Sequence, residues 1–246
     1  MEIYKCSNKI IKNWQWRHPG LVNLTDIILN LVDAKGGMAL DVGCGSGRTS
    51  ILLAKRGFKV DAFDIEPKVI DIAKELARKA QVDINFSVVD FTQKADFYQR
   101  EIYDLIICAE VLEHVGNYRT IINNIYNCLK KGGIFIVTVP HDSKQYSILD
   151  SHGGHLRRFT IPQLKELLKE FHIVDCFTIG FPFMRMMAWL RILILNILKK
   201  GPSPEREWNN ILFTKIISFL AYKLTKIDNF FNRLNKGTNI ICKVKK

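Results

Sequence analysis

The chain has 246 residues, 48% of them hydrophobic, enough to bury one sizeable core and more than a disordered chain carries. Its basic excess is uneven: residues 183–246 hold 13 Lys and Arg against 3 acidic residues, whereas residues 1–182 hold 23 against 21. A fold-wide affinity for nucleic acid would need a basic stripe on the main body as well, and that near-neutral body argues against one.

In chain order, the opening MEIYKCSNKIIKNW has no uninterrupted apolar stretch, so no secretory signal is expected. The cysteines at 6, 44, 108, 128, 176 and 242 form no CxxC pair and fall mostly in apolar elements, as reduced, buried thiols do; a cytoplasmic location fits. From Gly36 to about Gly180 apolar runs alternate with helix-period segments, the signature of a parallel, doubly wound α/β sheet. The pattern predicts a first helix over 21–34, ended by Gly36-Gly37. Strands follow near 38–43, 58–63, 84–89, 103–109 and 133–139, with helices between them near 48–56, 67–80 and 117–130. Pro67 suits a first helical turn, and Gly132-Gly133 ends the helix before the fifth strand. A helix opening at Thr160-Ile161-Pro162 runs to about Phe171, His172 to Ile179 reads as a sixth strand, and Thr238 to Lys245 as one more.

The stretch from Met38 to Arg48, MALDVGCGSGR, joins the first strand to a helix through Gly43, Gly45 and Gly47. Glycine permits backbone angles that side chains forbid and lets a ligand lie on the main chain. The amides opening the helix after Gly47 can face that ligand. A dinucleotide fingerprint would place its third small residue where Arg48 stands. The GxGxG form instead resembles motif I of the class I S-adenosylmethionine-dependent methyltransferases. Two more strands end in carboxylates, at Asp64 and at Asp90. Asp64 at the tip of the second strand can accept both ribose hydroxyls, and Ile65 beside it would wall the adenine. The resemblance implies that Asp41 and the glycine amides face the methionine part of S-adenosyl-L-methionine. It also implies that Asp90 receives the adenine amino group and that Phe91 lies against the ring. For the fold it implies a Rossmann-like, mostly parallel seven-stranded sheet whose last strand is antiparallel to the sixth.

Ligands of such sheets sit beyond the carboxyl ends of the strands. After the fourth strand comes Glu110-Val-Leu-Glu113-His114, with no Asp/Asn-Pro-Pro-Tyr/Phe motif of amino methylation. Positions 110, 113 and 114 fall on one side of a helical turn, so two carboxylates and an imidazole could hold a divalent metal with a further His from a later loop. Metal-using members of the family include ubiquinone-pathway O-methyltransferases and small-RNA 2′-O-methyltransferases. Alternatively Glu110 contacts the cofactor or caps the turn, and Glu113 and His114 only shape the pocket. After the fifth strand, His152 and His155 flank a glycine pair in a string, GHLRRFT, that resembles the segment before the last major helix of small-molecule methyltransferases. An imidazole suits proton removal near neutrality. His155 is the first choice for general base and His152 the second, either also serving as metal ligand or backbone donor. Arg157 and Arg158 would neutralise an acidic acceptor or simply be solvated.

Between the last two strands lie 55 residues, far more than a hairpin needs. The chain thus divides into a methyltransferase domain (1–182 with 238–246) and a basic, apolar helical insertion (183–237), broken at Gly201-Pro-Ser-Pro204. Residues 183–198 are strongly apolar but too short for a membrane span. In residues 211–234, Lys215, Lys226 and Arg233 project together, opposite Ile216, Leu220, Leu224, Ile227, Phe231 and Leu234. A cationic face opposite an apolar one fits a helix in the membrane interface, here the inner face of the membrane; a substrate lid or a dimer interface are the other readings. The leading expectation is methyl transfer to a small or lipid-linked acceptor, with oxygen as the acceptor atom. An RNA 2′-O-methyltransferase and a non-catalytic cofactor-binding subunit are the alternatives.

Overall fold

The computed structural model describes residues 5–93, 100–199, 201–203 and 211–246, with residues 211–217 described by their backbone alone. Strand β1 (Gly37–Val42) buries Ala39 and Leu40 on opposite faces, as a central parallel strand must. It pairs in parallel with β2 (Phe58–Asp64) on one side and β4 (Tyr103–Ala109) on the other. β3 (Asn85–Val88) extends the sheet beyond β2, and β5 (Leu129–Pro140) beyond β4. β7 (Asn239–Lys245) then inserts antiparallel between β5 and β6 (His172–Ile179), giving seven strands in the order 3-2-1-4-5-7-6. The order reverses between β1 and β4, where a crevice opens at the carboxyl ends.

Both faces are covered. Helices α2 (Pro19–Asn30), α3 (Arg48–Ala54) and α4 (Pro67–Ala80) pack on one face through Ile28, Ile51, Leu53 and Ile70. On the other, α5 (Tyr118–Cys128) and α7 (Ile161–Leu167) contribute Ile121, Ile125 and Leu164. The doubly wound, mostly parallel sheet expected from the sequence is the one observed.

Several boundaries differ for local reasons. Helix α1 (Asn8–Arg17) has only scattered apolar positions and is absent from the sequence-based expectation. Pro19 ends α1 at His18 and opens α2 two residues before the expected start. β5 begins at Leu129, inside the predicted helix, because a register shift near Leu105 lets the chain join the sheet early. A further short helix, α6 (Ile148–Gly153), is held by a capping box in which Ser147 and Asp150 bond each other's backbone ends.

The expectation of mostly reduced, buried cysteines holds for four of the six and is corrected for one pair. Cys176 and Cys242 face each other across β6 and β7 and are joined as a disulfide, while Cys6, Cys44, Cys108 and Cys128 are buried thiols.

Two helices, α8 (Phe183–Ile197) and α9 (Ile211–Asp228), run between β6 and β7. The buried Asp228 caps α8, accepting the Phe183 and Met184 amides at 2.7 and 2.9 Å. Over its described side chains, 218–228, α9 buries the polar Ser218, Thr225 and Asp228, and Tyr222 and Lys226 reach Asp26 on α2 at 2.7 and 2.8 Å. Phe219, Leu220, Leu224 and Ile227 point outward. The cationic face expected to be free is therefore partly used: Lys226 pairs with Asp26 and Arg233 with Asp175. Pro204 and the side chains of Lys215 and Ile216 lie outside the described residues. Among those described, no helix is long and apolar enough to cross a membrane.

Candidate active site

Three cavities meet at the carboxyl end of β1 and β4. The first, of about 330 Å³, is bordered by Gly43, Asp64, Ile65, Asp90 and Phe91. The second, of about 280 Å³, is bordered by Asp41, Gly43, Gly45, Gln15 and His18. The third, of about 190 Å³, lies between α2, the end of β6 and the start of α8, with Leu21, Ile179 and Met184 as apolar walls. Glu110 borders all three.

The glycine turn is shaped by close approach. Gly43 has a φ of +73°, and a Cβ there would come within 2.3 Å of Val111 Cγ2. Its donors are not free as expected, however. The Gly43 and Cys44 amides donate to the Phe63 carbonyl, Gly45 to Asp64 Oδ2 (2.9 Å) and Ser46 to Gln15 Oε1 (2.8 Å). The loop thus offers a ligand bare backbone surface rather than a row of unpaired glycine amides. Gln15 and Trp16, whose indole nitrogen donates to Ser46 Oγ at 3.0 Å, bring α1 over the turn. The sequence pattern alone did not point to this helix; its Trp-Gln-Trp run was the available signal.

Asp41 is buried and accepts from Ser50 Oγ at 2.5 Å; burial, against that hydrogen bond, raises its pKa to about 6. Asp64 holds Gly45 and Glu66 amides on separate oxygens, and burial raises its pKa as well. Each oxygen keeps a lone pair for a hydroxyl donor. Ile65 is two-thirds exposed beside the first cavity. Asp90 folds back onto Thr92 and Gln93, whose hydrogen bonds lower its pKa, and still borders the cavity. Phe91 is buried against Phe63, ring centres 6.2 Å apart.

The residues after β4 separate into two groups. Glu110, held in a left-handed backbone at φ +56°, accepts from Thr138 Oγ1 at 2.8 Å and from Asn239 Nδ2 at 2.7 Å. Glu113 is fully buried, and neither carboxylate oxygen accepts a hydrogen bond. Its Oε1 lies 3.9 Å from His114 Nε2 and 4.0 Å from His155 Nε2. These three residues could each offer one ligand atom within 4.8 Å of the others. Glu110, held by Thr138 and Asn239, lies outside this cluster, in which a histidine from a later loop, His155, joins Glu113 and His114. His114 Nδ1 bonds the Gly154 carbonyl at 3.0 Å, and burial, against that bond, lowers its pKa to about 4.

His155 is braced from behind. Its Nδ1 meets Asp150 Oδ1 at 2.9 Å, and Arg158 grips the same carboxylate at 2.8 and 3.1 Å. Burial would raise the Asp150 pKa, but these bonds pull it to about 2. The arginine pair is internal: Arg158 also donates to the His141 and Thr238 carbonyls, and Arg157 to the Val115 carbonyl while lying over Tyr118. The pair is thus not simply solvated, and Arg158 still borders the third cavity. His152 sits on the last turn of α6, outside the lining of the three cavities.

Residues 33–176 match the family model described as a methyltransferase domain. A ubiquinone biosynthesis O-methyltransferase of Coxiella burnetii is 38% identical over 116 residues, 47% of this chain and 49% of that protein. The chain thus spans about half the length of the curated relatives it matches first. One of the same name from Actinobacillus pleuropneumoniae is 33% identical, over 71% of this chain and 74% of that one. Among solved structures, the N-methyltransferase NodS of Bradyrhizobium japonicum with bound S-adenosyl-l-homocysteine superposes with a TM-score of 0.59 at 17% identity, covering 93% of this chain and 88% of its own. The fold is that of a Rossmann-like methyltransferase. The chain belongs to the class I S-adenosylmethionine-dependent methyltransferase family.

Proposed function

We propose that this chain transfers the methyl group of S-adenosyl-L-methionine to a hydroxyl oxygen of a small, lipid-linked acceptor. The observation that carries the reading is the meeting, at Glu110 and His155, of the cavity along the glycine turn and a separate cavity walled by Leu21, Ile179 and Met184. Asp64 holds the ribose, Ile65 and Phe91 flank the adenine, and Asp90 receives its amino group. Asp41 faces the methionine ammonium across the turn of Gly43, Gly45 and Gly47. In the transfer, the acceptor oxygen bonds the methyl carbon as the carbon–sulfur bond breaks, within an approach of about 3–3.5 Å. The acceptor's proton passes to His155 Nε2. Asp150 fixes that ring through Nδ1, and the buried Glu113 carboxylate lies beside the imidazolium that forms.

The same atoms fit a divalent metal instead, with His155 Nε2 then a ligand and not the proton acceptor. A fully buried carboxylate with no hydrogen bond, between two imidazoles whose Nδ1 atoms are already bonded, is a donor set for a Zn²⁺- or Mn²⁺-like ion. When bound, such an ion would supply Lewis acidity that lowers the acceptor hydroxyl's pKa.

The outward apolar side chains of residues 183–198 and 218–234 support peripheral attachment to a membrane, for which the inner face remains the reading. RNA as acceptor is not favoured, because Lys226, Arg233, Lys243 and Lys246 of the basic tail are spent on ion pairs within the fold. The test is methylation of a prenylated catechol with labelled S-adenosylmethionine. A methyl ether is expected, lost by at least 100-fold in His155→Ala with unchanged S-adenosylhomocysteine affinity. Folded protein that binds S-adenosylhomocysteine yet forms no methyl ether on lipid-linked or soluble phenols would overturn it.

A further inference from the structure

The methyl group must change hands where the second and third cavities join. The residues bordering both are His18, Leu21, Leu24, Glu110 and His155. Glu110 and His155 belong to the carboxyl-end loops of the sheet, where Thr138 and Asn239 hold the first and Asp150 holds the second through Nδ1. The third polar residue, His18, comes from a different element, the break between α1 and α2. Pro19 puts it there. A residue before proline is pushed out of the helical region, and His18 has φ −62° and ψ 120°, so the chain turns a corner at this position and the ring projects from the corner. The neighbouring Gly20 keeps the corner tight: a Cβ there would come within 2.7 Å of Met184 Cε on α8.

Resting on the methyl-transfer reading above, we propose that His18 is an acceptor-contacting residue, which hydrogen-bonds the acceptor's polar head and holds its nucleophilic oxygen between the donor methyl and His155. The charge balance agrees. Burial and then Arg191 on α8 lower the His18 pKa to about 4, so the ring is neutral at pH 7 and does not repel the sulfonium. A neutral imidazole both donates and accepts, which suits a head group carrying adjacent hydroxyl and oxygen functions. The contact also gives α8 a hold on the site: it contributes Met184 to the acceptor cavity and Arg191 to the surroundings of His18.

The experiment measures prenylated-catechol methylation and S-adenosylhomocysteine binding in the full chain, for wild type, His18→Ala and His18→Asn. In His18→Ala the Michaelis constant for the acceptor is expected to rise at least 10-fold, with S-adenosylhomocysteine affinity within twofold. His18→Asn, whose amide overlays part of the ring's polar edge, restores at least part of that loss. An unchanged Michaelis constant beside an active wild type overturns the proposal alone, and so does a parallel loss of S-adenosylhomocysteine affinity, which would make His18 a cofactor or packing residue. A wild type that methylates no phenol overturns the methyl-transfer reading and this inference with it.

Discussion

At the scale of single residues, the site works through carboxylates in different degrees of burial. Burial raises Asp41 to about 6, so that it is fully ionised only near and above neutrality, and raises Asp64 too, whereas Asp150 at about 2 stays ionised throughout. The consequence for binding has a definite sign. A carboxylate that pairs with the cofactor's ammonium must be ionised, so affinity is full above pH 6 and falls as pH drops through it. The fall is at most about tenfold per pH unit for each group titrating. Calorimetry with S-adenosylhomocysteine is expected to give a plateau from pH 7 to 8 and a roughly tenfold weaker constant near pH 5. Equal affinities at both ends would remove Asp41 from the cofactor contact.

At the scale of elements, the short turn after β4 carries the largest local conflict. Glu113 is fully buried with no hydrogen bond, and burial raises its pKa well above the usual carboxylate range. Leaving a buried polar group unpaired costs about 1–3 kcal/mol, more if charged. Such a cost persists where the surroundings require the group, and two imidazole nitrogens within 4.0 Å are the requirement visible here. Glu113→Gln is expected to leave metal-free protein as stable as wild type or more so. It is also expected to abolish any rise in Tm that Zn²⁺ or Mn²⁺ gives the wild type. If metal raises both melting temperatures equally, the ion sits elsewhere.

At the scale of the whole molecule, helix α8 turns most of its large apolar side chains away from the core, Leu195 being buried. Met186, Trp189, Leu190, Leu193, Ile194 and Ile197 recur at helical spacing along α8, and each is at least 39% exposed. Sealing one such side chain away from water is worth about 1.5–3 kcal/mol. A triple change, Trp189→Ser, Leu193→Ser and Ile197→Ser, is expected to weaken sedimentation with anionic vesicles at least 100-fold while leaving Tm nearly unchanged, since these side chains belong to no buried cluster of the fold. Unchanged sedimentation would assign the exposed face to another occupant.

How much of this could be read from the chain follows from the range of the forces involved. The glycine turn, the strands that end in Asp41, Asp64 and Asp90, and the alternation of apolar runs are local patterns, and local patterns survive as local structure. The doubly wound sheet therefore came from sequence, and with it the placing of these residues around one crevice. The misses depend on distant partners: α1 and Gln15 over the glycine turn, Asn239 holding Glu110 across 129 positions, Arg158 drawn inward to the Thr238 carbonyl, and the Cys176–Cys242 pair. Within the described part of α9, Leu220, Leu224 and Ile227 share an outward face. Which way that face turns was decided only when Asp26, on a helix 200 residues away, offered Lys226 a carboxylate and left the apolar side outward.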